Sequence, residues 1–279
     1  MTKTKSNSTI LQGKRAVIFG AGGSVGSAVA REFALEGAEV FLAGRTKSHL
    51  DEVAKEISMA GGLGSVAVVD ALNAQAVDEY IDRVERDSGK IDIEFNAVGP
   101  PAADYGSGKP ALQLSVDEFM VPLTTIVKSQ FITARSVARH MVKRREGVII
   151  FLSGSNARGH AVIPGVLDVG ASSIGTAFGA VETFMENFAF EISVNGVRAV
   201  CLRTTANVDT KAIQDTLPLM AKELKMTKED LLKGIGDANF LKTPATTSDT
   251  AKLAVLLASD RVRMLTGTVV NSTAAVAMD

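Results

Sequence analysis

The sequence predicts an α/β protein: a doubly wound parallel sheet that forms the middle of three layers. Short apolar runs alternate with segments of helical spacing along most of the chain, the pattern of a parallel sheet covered by helices on both faces. The first two runs flank a glycine-rich turn, and small or polar residues stand where most of the runs end. In such sheets, ligands bind beyond the carboxyl ends of the strands, so those end residues are expected to line one crevice.

The elements follow in order. Ala16 to Phe19 is a short apolar run, as expected of a strand buried on both faces. Gly20, Gly22, Gly23 and Gly26 come next, and Val25, Val29, Phe33 and Ala34 recur at helical spacing up to Gly37. Val40 to Ala43 is a second strand ending at Gly44-Arg45. Thr46 to Ala60 reads as a helix through Leu50, Val53, Ala54 and Ile57, stopped by Gly61-Gly62. Ser65 to Val69 is a third strand ending at Asp70-Ala71, and Asn73 to Ser88 a helix. Ile91 to Ala97 is a fourth strand that runs through Asn96-Ala97 into Val98-Gly99.

A loop with Pro100, Pro101 and Pro110 leads to a long helical stretch from Ser115 to Lys143, with a break or kink expected at Pro122. Gly147 to Leu152 is a fifth strand ending Ser153-Gly154-Ser155. A glycine-rich connection then reaches a helix from about Ala171 to Val194, and Val197 to Leu202 is a sixth strand. Thr204 to Leu241 reads as an inserted helical lid, followed by a helix from Thr247 to Leu257 and a last strand from Gly267 to Val270.

Composition bounds the function. The chain has 279 residues, 46% of them hydrophobic, which suits one large domain from residue 13 to residue 279. Met1 to Gln12 is polar, without an apolar core, and reads as a flexible lead-in rather than a signal peptide. A net charge of −1 without a basic block gives no footprint for nucleic acid. Gly159 to Ala180 is nearly free of charge, but Pro164, Asp168 and many small residues make it a poor membrane span. The single cysteine, Cys201, excludes an internal disulfide framework and suits a reducing compartment, so the expected location is cytoplasmic.

The glycine-rich turn has a chemical reading. A dinucleotide pyrophosphate sits against backbone N–H groups at a helix N-terminus, and glycine is needed where the backbone comes closest. Strand, glycine turn, helix and second strand together make a Rossmann-type site. Arg45 stands at the tip of the second strand, where the adenosine ribose would lie, and an Arg there can accept a 2′-phosphate. The expected cofactor is therefore NADP(H) in preference to NAD(H).

These segments together resemble the short-chain dehydrogenase/reductase superfamily from about Gly13 to Asn271. Gly20-Ala21-Gly22-Gly23-Ser24-Val25-Gly26 is similar to the family's Gly-x-x-x-Gly-Ile-Gly turn, with Ser24 where the middle glycine stands. Arg45 matches the position that marks NADP-preferring members, and Asp70, followed by Ala71, the Asp that holds the adenine. Asn96-Ala97-Val98-Gly99 is similar to the family's Asn-Asn-Ala-Gly, and Leu257-Ala258-Ser259-Asp260 with Thr266-Gly267 to its C-terminal signature. Thr204-Thr205 replaces the Pro-Gly after the sixth strand, whereas Thr210 matches a Thr placed near the nicotinamide carboxamide.

The catalytic half departs from the family. The resemblance implies an active site of Asn, Ser, Tyr and Lys, the last two as Tyr-x-x-x-Lys. Here Ile174 falls at the Tyr, Phe178 at the Lys and Ile126 at the Asn, while the Ser falls near Ser153 to Ser155. The only tyrosines are Tyr80 and Tyr105, and no Lys occurs between Lys143 and Lys211. Ile and Phe cannot exchange a proton, so reduction with a Tyr donor is not available. The proton would come from water or from Ser153, Ser155, His160 or Asp168.

Two functions are therefore expected. One is an NADP(H)-dependent oxidoreductase with a non-standard proton donor, acting on an enone or enoyl substrate. The other is a catalytically silent NADP-binding sensor or structural partner of an active homologue. Leu217, Leu219, Met220, Leu224 and Met226 in the lid point to a small apolar substrate, or pack the lid itself. The resemblance also implies that the Ser115–Lys143 and Ala171–Val194 helices form a homodimer interface, commonly within a homotetramer.

Overall fold

The computed structural model describes residues 9–158, 162–163, 167–168 and 171–279, with side chains except at 162–163, 167–168, 216, 219–220 and 223–224. The main sheet has seven strands, β1 (Arg15–Phe19), β2 (Glu39–Gly44), β3 (Leu63–Val68), β4 (Ile93–Asn96), β5 (Val148–Gly154), β8 (Arg198–Thr204) and β9 (Thr268–Ser272). All pairs in it are parallel, in the order β3-β2-β1-β4-β5-β8-β9. The chain winds outward from β1 to β3 and then returns to β4 beside β1, so the order of strands reverses there.

The apolar runs that predicted the strands are buried on both faces. Val17, Phe19, Ile149, Phe151, Ala199 and Cys201 face one core, and Ala16, Ile18, Ile150, Val200 and Leu202 the other. The first core is covered by α3 (Ala74–Ser88), α5 (Lys128–Arg144) and α6 (Ser172–Ile192), and the second by α1 (Ser24–Leu35), α2 (Lys47–Met59) and α9 (Thr247–Ala258). This is the doubly wound, three-layer sandwich that the alternation predicts.

Departures from the sequence reading have physical causes. Pro122 does not break its helix. α4 (Val116–Pro122) runs through one π turn, Leu123–Val127, directly into α5. The wider turn accommodates a residue without an N–H, and the Thr124 hydroxyl donates to the Met120 carbonyl at 2.9 Å. Residues 9 to 12, expected in the lead-in, are docked: Leu11 is fully buried in the second core, and its N–H donates to the Glu36 carbonyl. The connection after β5 holds a two-stranded antiparallel hairpin, β6 (Val162–Ile163) with β7 (Leu167–Asp168), that periodicity does not reveal.

The insertion after β8 forms α7 (Lys211–Leu224) and α8 (Lys228–Asp237). Leu217, Leu231 and Ile235 make a small core of their own, with Met226 packed against it. Leu217 and Met226 thus serve the lid itself rather than a substrate, and the side chains of Leu219, Met220 and Leu224 lie outside the described residues. No helix among the described residues is long and apolar enough to cross a membrane.

Candidate active site

The reversal between β1 and β4 opens a cleft of about 230 Å³ at the carboxyl ends of β1 to β4. Its floor is the glycine turn. Gly20 has φ +74°, and a Cβ there would come within 2.9 Å of the Ala97 carbonyl. A Cβ on Gly26 would lie 2.2 Å from the Gly20 carbonyl oxygen, so only glycine lets α1 start this close to β1. Gly23 is the N-cap of α1 and has no side chain to spend on the first-turn N–H groups. A side-chain-free helix N-terminus at the end of a buried strand is a ready anion seat.

Most residues expected to bind the cofactor meet at this cleft. Gly20, Gly22, Gly23 and Arg45 line one side of it, and Asp70, Ala71, Ala97 and Val98 the other. Arg45 is exposed just past the end of β2 and has no hydrogen bond or ion pair among the described residues. Asp70 accepts the Leu72 N–H at 3.0 Å, which shapes its turn. Thr46, His49 and Thr125 also line the cleft, though the sequence reading did not single them out. Thr125 reaches it from the π turn, a displacement that no spacing rule anticipates.

Asn96 is placed behind the cleft wall, not on it. It is buried, donates to Thr133 Oγ1 at 2.9 Å and accepts the Val98 N–H at 2.8 Å. It therefore holds the Ala97–Val98 wall in position. Two residues earlier on the same strand, Glu94 is fully buried with one carboxyl oxygen unpartnered, and burial pushes its pKa up to about 8. Val25, Gly26, Thr204 and Thr210 are not among the residues that line the cleft. Thr204 at the end of β8 bonds the Thr250 hydroxyl at 2.9 Å, and the Thr210 hydroxyl donates to the Asn207 carbonyl at 2.9 Å. Ser24 is the first residue of α1 and accepts a hydrogen bond from the lid.

The ends of β5 and β8 carry Ser153, Ser155 and Thr204, which the sequence reading singled out. Ser153 is fully buried and donates to Glu182 Oε1 at 2.7 Å. Arg203, also without exposure, donates to both oxygens of the same carboxylate at 2.7 and 2.8 Å and to Asp279. The Arg203 guanidinium holds the Asp279 carboxyl below its usual range. Arg158 joins from the start of the connection, its Nε 3.6 Å from Glu182. Ser153 thus belongs to a buried ionic network under α6 rather than to an open surface. Glu182 is one of three acids on α6 and Arg203 one of two bases on β8, and nothing in their spacing paired them.

Ser155 is buried at the strand end, its hydroxyl 3.5 Å from that of Thr205. Ile174 and Phe178 both pack against the first core, and the ring of Phe178 lies over Gly154. Ile126 is likewise buried in that core. His160 lies outside the described residues, and of Asp168 only the backbone, paired with Val162, is described. Among the described residues no cluster of His, Cys, Asp and Glu could hold a metal ion.

The cleft lies at the reversal of a doubly wound α/β sheet, the place where such sheets bind ligands. The short chain dehydrogenase family matches residues 14–218, and the chain belongs to that family. Gluconate 5-dehydrogenase of Gluconobacter oxydans (strain 621H) is 29% identical over 67% of this chain and 69% of that protein. An actinorhodin polyketide ketoreductase variant solved with NADPH superimposes with a TM-score of 0.81 at 18% identity, over 94% of this chain and 97% of that one. A 7α-hydroxysteroid dehydrogenase solved with NADH gives the same TM-score at 22% identity, over 98% and 97% of the two chains. The fold is shared with enzymes holding either nicotinamide dinucleotide.

Proposed function

We propose that the chain is an NADP(H)-dependent oxidoreductase that reduces a carbon–carbon double bond conjugated to a carbonyl, in an enone or an enoyl thioester. One observation carries the cofactor preference. Arg45 stands exposed at the rim of the cleft with its guanidinium uncommitted among the described residues, where an acidic residue would instead favour a ribose hydroxyl. The glycine cradle fits the close approach of a pyrophosphate, since side chains are absent where the backbone must be reached.

When bound, the reduced nicotinamide supplies a hydride. The chain's own groups must then orient the acceptor and deliver a proton. Ile174 and Phe178 can do neither by proton exchange. Ser153 is committed to Glu182, which leaves the Ser155 hydroxyl beside Thr205 as the described group suited to relay a proton from water. His160 and Asp168 stay candidate donors by their chemistry alone. A conjugated acceptor suits so sparse a site, because the charge that develops on its carbonyl oxygen needs oriented donors more than a fixed acid.

The test is NADPH consumption with matched enone, enoyl thioester and simple ketone substrates. Turnover with the conjugated compounds and not the ketone supports the reading. Tight NADPH binding with no turnover on any of them refutes it, and favours the second reading.

That second reading is a catalytically silent NADP-binding sensor or structural partner. Ile174 and Phe178 at the positions of the family's proton donor motivate it. It predicts NADPH-dependent association with an active relative.

A homodimer, or a homotetramer built from it, is proposed through α5 and α6. Phe131 on α5, and Phe190 and Val194 on and just beyond α6, are exposed apolar side chains, Phe190 at 86%. Sedimentation as a monomer at micromolar concentration would contradict this assembly. The buried thiol of Cys201, its pKa pushed up to about 12 by burial, fits a packing role in a reducing, cytoplasmic setting.

A further inference from the structure

The position that the family resemblance gives to glycine holds Ser24, and the structure shows where its side chain goes. The Ser24 hydroxyl accepts the backbone N–H of Lys211 at 3.1 Å, across 187 residues of chain. Lys211 is the first residue of α7, the opening helix of the lid. A helix leaves its first N–H groups without intrahelical partners, and a side chain at the N-cap ordinarily accepts one of them. Here the N-cap, Thr210, makes no such bond, and its hydroxyl donates back to the Asn207 carbonyl. Ser24 supplies a cap to α7 from a different helix.

The root of the lid is otherwise fixed to α9. Asp209 accepts the Thr247 N–H at 2.8 Å and its hydroxyl at 2.7 Å, and Asn207 Nδ2 donates to Thr250 Oγ1 at 3.1 Å. Beyond the root the lid rests on its own small core. The bond from Lys211 to Ser24 therefore ties the lid directly to the glycine turn. Ser24 also contributes a backbone N–H to the first turn of α1, where the pyrophosphate is seated in the function proposed above.

We propose that Ser24 is a positioning residue that couples dinucleotide binding to the order of the lid. Its backbone belongs to the anion seat and its hydroxyl to the lid helix, so a phosphate that immobilises the first turn of α1 also immobilises the acceptor for Lys211. This inference rests on the cleft binding a nicotinamide dinucleotide. The converse also follows: an ordered lid stabilises the turn and tightens cofactor binding, because coupling between two sites is reciprocal.

Amide hydrogen exchange of the full chain, with and without NADPH, tests this. In the wild type NADPH is expected to slow exchange in residues 20–26 and at the Lys211 amide. In Ser24→Ala and Ser24→Gly NADPH still slows exchange in the turn, while the NADPH-dependent slowing at Lys211 falls by about fivefold, the worth of one capping hydrogen bond. Ser24→Thr, which keeps the hydroxyl, restores it. A merely structural role would lower protection at Lys211 equally with and without NADPH. If the turn is protected in the wild type but Lys211 is not, or if Lys211 responds to NADPH as strongly in both hydroxyl-free variants, the coupling is refuted while the cofactor site stands. If neither segment responds in the wild type, the cofactor reading fails and the coupling with it.

Discussion

Phe178 lies against Gly154, so close that a Cβ on Gly154 would come within 2.7 Å of its ring. The two residues are complementary: a bulky ring fills the space that a side chain at the end of β5 would occupy. Gly154→Ser is expected to cost about 1–3 kcal/mol, the usual penalty for overpacking a filled site. Adding Phe178→Ala should recover much of that loss. Thermal melts of the two single variants and the double variant measure the coupling, and strictly additive effects would contradict it.

Glu182 and Arg203 make a second relationship of this kind, but an ionic one. Both are buried, and they share two hydrogen bonds between α6 and β8. Glu182→Leu alone leaves the buried Arg203 with only the half-exposed Asp279 as a counter-charge and should destabilise by about 3 kcal/mol. Glu182→Leu with Arg203→Met removes both charges and should lose much less. Chemical denaturation reads both values.

Glu94 predicts a pH dependence. Its folded pKa, near 8, stands above that of an unfolded glutamate, so the folded state favours the neutral acid. The stability this group contributes is full below about pH 4, the ordinary glutamate range, and is lost as pH rises towards 8. Glu94→Gln mimics the neutral acid at every pH. Its melting temperature should match the wild type at low pH and exceed it by a margin that grows up to about pH 8. A constant difference across that range would show that Glu94 does not titrate as described.

Arg45 is predicted to set cofactor choice. A hydrogen bond to a charged group is worth about 1.5–3 kcal/mol, so Arg45→Ala should weaken NADPH binding by about 10- to 100-fold. NADH, which lacks the 2′-phosphate, should bind the variant and the wild type alike. Parallel loss of both affinities would mean that Arg45 supports the cleft wall rather than reading the phosphate.

The fold and most of the lining of the cleft were legible in the sequence because they depend on local rules. A run buried on both faces, four glycines at fixed spacing and an Arg at the next strand end each state a backbone requirement within a few residues. What spacing could not supply was partnership. Ser153 reads as a catalytic candidate, and spacing does not show that its hydroxyl meets Glu182, 29 residues on. Asn96 reads as a cofactor ligand, and spacing does not show its bonds to Thr133 and the Val98 N–H. The π turn moved Thr125 to the cleft, and strands of two residues each were too short to show a period. Lid residues that looked like a substrate surface, such as Leu217, close the lid's own core.

The central claim is that the cleft between β1 and β4 binds NADP(H). Calorimetric titration of the purified full chain with NADPH and, separately, with NADH tests it most directly. The account predicts saturable NADPH binding, with NADH weaker by about 10-fold or more, as loss of the phosphate contact requires. Binding of neither would show that the glycine turn serves only as architecture, and would contradict both functions proposed for this chain.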